Sequence, residues 1–147
     1  MAATIHAYGQ FPMNLANKLL SDLEAVGTTL KVALCTDTYV PDQDADESFA
    51  DITNEVIAAS YTAGGNEITT KALTYAARVT TVDGDDVEWP AADFTCHYGI
   101  IYDATPALAA NQKLIAWIDF DGDKVPAVQT FKIIWNASGI LTFTVPA

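Results

Sequence analysis

Apolar positions recur along this chain with two different periods, and the change of period divides it. Leu15, Leu19, Leu20 and Leu23 recur at helical spacing, with Asn14, Lys18 and Asp22 off that face. Pro12 and Asn14 suit a helix start and Gly27 suits a stop, so the spacing predicts one helix over 13–24. From Thr28 onward the period falls to two, or apolar residues run on without a break. TLKVALC over 29–35, FTCHYGIIY over 94–102 and LIAWIDF over 114–120 predict the strongest strands. Phe131, Ile133 and Trp135 alternate with Lys132 and Ile134, which predicts another.

Residues 61–65 read as a strand end running into a turn, and weaker β segments follow from residues 68–72, 73–81 and 87–89, the last stopped by Pro90. Asp83-Gly84-Asp85-Asp86 reads as a turn, and Asn136 to Gly139 as a hairpin turn into a strand over 140–145. Residues 51–60 have room for one helical turn carrying Ile52, Val56 and Ile57. Seven to nine short strands with one helix predict a mainly β fold: an antiparallel β-sandwich, jelly-roll-like, with one short N-terminal helix. The expected core is Leu19, Val32, Leu34, Tyr75, Phe94, Ile100, Trp117, Phe131, Ile133, Trp135, Leu141 and Phe143. The strands over 94–102, 114–120 and 131–135 are expected to be central, being the most apolar.

With 147 residues and no internal repeat, this is the length of one domain. The expected division is an arm over 1–12 and a single sandwich domain over 13–147. The arm carries neither acid nor base. It is expected to gain order only by packing on a neighbouring subunit, through Tyr8 and Phe11, because a free tail is normally polar or charged. Trp89, beside Pro90, is the expected surface aromatic.

Nineteen acids against seven scattered bases give a net charge of -12. That charge argues against nucleic acid and anionic membranes as partners. No apolar stretch is long enough to span a bilayer, and the first residues show no secretory pattern, so synthesis in a cytoplasm is expected. Cys35 and Cys96 lie in apolar runs and are expected to be buried free thiols.

Chemistry is hard to find in this chain. The loop over 36–48 holds Pro41 and five acids, three of them spaced as Asp42, Asp44 and Asp46. It lacks the glycine and distal glutamate of a calcium loop, so a solvated, inert loop is expected, with a weak cation site as the alternative. The cluster Asp119-Phe120-Asp121-Gly122-Asp123 fails the same pattern and is expected to form a hairpin or loop tip. His97 follows Cys96, but neighbouring strand residues face opposite sides, so the two make no nucleophile–base pair. No catalytic, cofactor or metal-binding residue is expected.

A resemblance goes further. Leu30 to Thr36 with Tyr39, Pro41 and Asp44, then Asp51 to Val56 and Tyr61 to Gly65, form a recurring pattern. It continues through Asp85-Asp86-Val87 with Trp89, Tyr98 to Asp103 and Thr105-Pro106. It closes with Leu114-Ile115, Asp119-Phe120, Phe131 to Trp135 and Gly139-Ile140. In these motifs the chain resembles a family of small virion structural proteins of tailed bacteriophages.

The resemblance implies a non-enzymatic capsid decoration protein on the outer surface of the head. Its partners would be the major capsid protein and copies of itself, as a homotrimer. A tail, neck or fibre-associated structural protein is the alternative, and a small sugar-binding module or enzyme the third. The acidity suits an outer position, since packaged DNA would repel it.

Overall fold

The computed structural model describes residues 3–146, so Met1, Ala2 and Ala147 of the expected arm and domain lie outside the described residues. The fold is mainly β, with antiparallel sheets and one short helix, α1 (Phe11–Ala16). Five strands form the largest sheet, in the order β1 (Thr4–Ala7), β8 (Leu114–Lys124), β7 (Cys96–Asp103), β2 (Leu30–Cys35) and β3 (Asn66–Glu67). Three more make a second sheet, β10 (Leu141–Thr144), β5 (Val79–Asp83) and β4 (Ala72–Ala76). β6 (Val87–Ala92) pairs with β9 (Gln129–Ile133).

Alternation along β2 shows how the layers close. Leu30, Val32 and Leu34 join the main core, whereas Ala33 and Cys35 join a second cluster on the other face. The main core fills the space between the large sheet and the smaller ones, with Phe120, Trp89, Ile133 and Val82 among its members. The loop after β2 covers the opposite face, where Tyr39 packs with Ala33, Ile100 and Leu114. Burial on both faces explains why β2 and β7 are nearly continuous apolar runs. It also makes the acidic loop a cover as well as a solvated rim: its carboxylates face water while Tyr39 is buried.

Gly65, where the chain turns into β3, shows how closely two backbones approach. Its φ is +71°, and a Cβ there would fall 1.8 Å from the Val32 carbonyl oxygen. Only glycine is possible at this point.

Several expectations need correction. The helix ends at Ala16, eight residues short of 24, because Lys18 takes the left-handed conformation (φ 57°). The amides of Lys18 and Leu19 then bond the carbonyls of Leu15 and Asn14, which completes a Schellman stop. Leu19 is thereby left half exposed, and Tyr75 lies on an exposed strand, so neither belongs to the core. Residues 51–60 make no helical turn; a single 3-10 turn sits just before, at Phe49–Asp51.

Pro90 does not stop β6, which passes it through a bulge at Ala91 (φ 49°) and pairs again at Ala92. The 119–123 cluster is no loop tip, since β8 runs through it to Lys124. The turn at Asn136 to Gly139 exists, but it leads β10 to β5, not back to β9. β9 therefore lies in the two-stranded sheet and is not central.

Candidate interaction surface

The three residues expected to face a partner do not. Phe11 is fully buried and packs on Phe143, with ring centroids 5.7 Å apart. Tyr8 is buried against Trp117 at 4.9 Å, and Trp89 against Phe131 at 5.8 Å. For Tyr8 and Phe11 the reason is the first strand. The uncharged first residues are not a free arm: β1 pairs with β8, His6 opposite Trp117, and carries Tyr8 and Phe11 into the fold. An uncharged segment is equally suited to burial inside its own chain, and composition cannot separate the two cases.

The groups that could support chemistry are held in structural bonds. His97 Nδ1 lies 2.8 Å from Asp123 Oδ1, and its ring sits against Tyr98. Cys96 points into the core on the opposite side. Burial pushes the thiols of Cys35 and Cys96 up to about 12, the carboxylates of Glu55 and Asp123 adding to it respectively. Neither thiol is a poised nucleophile.

In the acidic loop, Asp42 Oδ1 accepts the amides of Asp44 and Ala45 at 3.0 Å each. Asp46 Oδ2 accepts the Asp42 amide and the Tyr39 hydroxyl. These are local turn bonds made by carboxylates spaced for that purpose. No group of three or more metal-ligating side chains converges among the described residues.

What the chain does present is an apolar opening at one end of the sandwich. After the early stop of α1 the next residues run beside the three-stranded sheet, with Leu20 and Leu23 in the same core cluster as Val82. A groove of about 390 Å³ is left between them, lined by Leu15, Leu20, Leu23, Leu73, Val82 and Phe143, with Lys18 and Asp22 beside them. β4 forms the outer margin of this sheet. Every one of its residues is exposed, Tyr75 at 69%. The spacing of Leu73 and Tyr75 signals a strand with one apolar face, and this was the available clue in the sequence. It reads as core because an edge strand and a core strand share one alternation.

Compared with protein-family models, with curated proteins and with solved structures, the chain matches none of them.

Proposed function

We propose that this protein is a structural component of a tailed-phage virion, bound to the outside of the head as a decoration protein on the major capsid protein. One observation carries the reading. Several of the residues on which the resemblance rests form two hydrogen-bond networks that brace the fold. Glu55 Oε1 accepts the Tyr61 hydroxyl at 2.6 Å and the Gly64 amide at 2.5 Å. The Tyr61 oxygen in turn accepts the Leu34 amide, and Tyr102 donates to the Gly64 carbonyl. Trp135 Nε1 donates to the Asp85 carbonyl at 2.8 Å, and the Trp135 amide to Asp86 Oδ1.

Residues that brace a scaffold suit a protein whose work is to be a rigid, correctly shaped part. The net charge of -12 supports the same reading, because it keeps copies soluble and apart until a specific surface is met. A decoration protein that binds the assembled shell, and not its dissociated subunits, raises the stability of the shell by linkage.

The test is imaging of virions with and without this chain. Extra density is expected at regular positions over the whole head. Heads lacking the protein are expected to assemble and then to rupture at lower temperature. Label confined to the tail or neck, at a few copies per particle, would overturn the reading in favour of a tail component.

A further inference from the structure

β4 is an outer sheet edge whose own residues carry none of the usual guards. Natural proteins blunt such edges with charges, prolines or a cover, because unpaired backbone groups recruit other strands. From Ala72 to Ala77 this edge has neither charge nor proline. Which groups are free follows from the hairpin. Its two-residue loop, Ala77-Arg78, makes Ala76 and Val79 a hydrogen-bonded pair, so Ala72, Thr74 and Ala76 direct their backbone groups to β5. Leu73 and Tyr75 direct theirs outward. The Leu73 amide confirms it by donating to Glu24 Oε2 at 3.2 Å.

We propose that two copies of this chain pair through β4, antiparallel about a two-fold axis at Thr74, giving one six-stranded sheet. In this register each Leu73 faces the second copy's Tyr75, and the pairs exchange four N–H···O bonds. Leu73 and Tyr75 share a sheet face, so each aliphatic side chain also meets an aromatic one. Moving the axis to Tyr75 would set Leu73 against Ala77. Moving it to Leu73 would set Tyr75 against Lys71.

Charge selects the same register. Arg78 has no ion-pair partner among the described residues. With the axis at Thr74, the Ala77-Arg78 turn of one copy lies at the end of the seam beside Thr70 and Lys71 of the second copy. The Thr70 hydroxyl donates to Asp85 Oδ2, as does that of Thr69 at 3.0 Å. The seam thus brings this guanidinium to the end of the sheet where the second copy's exposed Asp85 stands, once on each side of the axis. Glu24 has to leave the Leu73 amide for the second strand to pair there, so it competes with the dimer. The pairing is independent of where the protein works.

Sedimentation over a concentration series at about 0.15 M salt, where surface charges are screened beyond ~8 Å, tests this. The wild type is expected to move from the 15.7 kDa monomer toward twice that mass. Tyr75→Pro removes an outward N–H and none that serves β5, so it is expected to abolish the dimer. Arg78→Glu is expected to weaken it about tenfold or more, Arg78→Glu with Asp85→Lys to restore it, and Glu24→Ala to tighten it. Circular dichroism checks folding, and the Arg78 and Asp85 variants decide the matter if Tyr75→Pro unfolds. A wild type that stays monomeric, a trimer, or a dimer indifferent to Arg78→Glu would overturn the proposal.

Discussion

The hydroxyl of Tyr8 lies 2.9 Å from that of Tyr39, which itself donates to Asp46 Oδ2 at 2.7 Å. A carboxylate only accepts, so Tyr39 spends its proton on Asp46 and Tyr8 must donate to Tyr39. The chain of three joins β1 to the loop that covers the large sheet. Its order sets an asymmetry between two conservative variants. Tyr8→Phe leaves Tyr39 bonded to Asp46 and is expected to cost about 1 kcal/mol. Tyr39→Phe leaves the buried Tyr8 hydroxyl without a partner and is expected to cost about 1–3 kcal/mol more. Urea unfolding of both variants measures the difference, and equal losses would mean the chain does not run in this direction.

Alkaline pH is expected to destabilise the fold from about pH 9 upward. The thiols of Cys35 and Cys96 rise from an ordinary 9.0 to about 12 on burial. The hydroxyls of Tyr8, Tyr39, Tyr61 and Tyr102 are likewise raised, chiefly by burial. Between 9 and 12 the unfolded chain releases thiol protons that the folded chain keeps. Stability from this source is complete below 9 and is lost as pH climbs toward 12. At about pH 10.5 each thiol accounts for roughly 2 kcal/mol of loss. Unfolding free energies at pH 7, 9 and 10.5 check the slope, and a thiol reagent at pH 8 should label neither cysteine until denaturant is added.

Asn14 is fully buried in α1, and neither of its amide atoms has a hydrogen-bond partner among the described residues. A buried polar group left unpaired costs more than an apolar group of similar size. Asn14→Leu is therefore expected to raise stability by about 1 kcal/mol or more. A loss in thermal or urea unfolding would show that the amide serves the fold.

Trp135 is almost buried and tied to Asp85 and Asp86 by two bonds. Trp135→Ala removes the ring and orphans the Asp85 carbonyl, with an expected loss of about 3–5 kcal/mol. Trp135→Phe keeps most of the packing and should recover more than half of that. A loss below about 1 kcal/mol for the alanine variant would place the ring outside the core.

Much of this fold can be read from the chain before its structure. The strands β2, β7 and β8 are written in largely apolar runs, and burial of Cys35 and Cys96 follows from them. The misreadings share a cause. Lys18 in a left-handed helix stop has no signature, because glycine is the residue that marks such stops. Ala91 lets a strand pass a proline through a conformation that alanine seldom adopts. Tyr75 and Trp89 each sit in an alternating pattern, and only the neighbouring strands decide which is covered. The candidate surface was hidden by the same ambiguity, since long-range pairing assigns the faces and local pattern does not.

Thr4 pairs with Asp119, so the first strand of the chain finds its place beside one of the last to be made. On the ribosome β1 must wait, uncharged and unpaired, while more than a hundred residues are added. Its partner strand also has to pair with β7 on its other side. Closure of a loop this long is entropically slow, and Tyr8 and Phe11 stay open to water until it happens. A nascent chain halted before residue 114 would present those two aromatics to chaperones, and the finished protein would withdraw them.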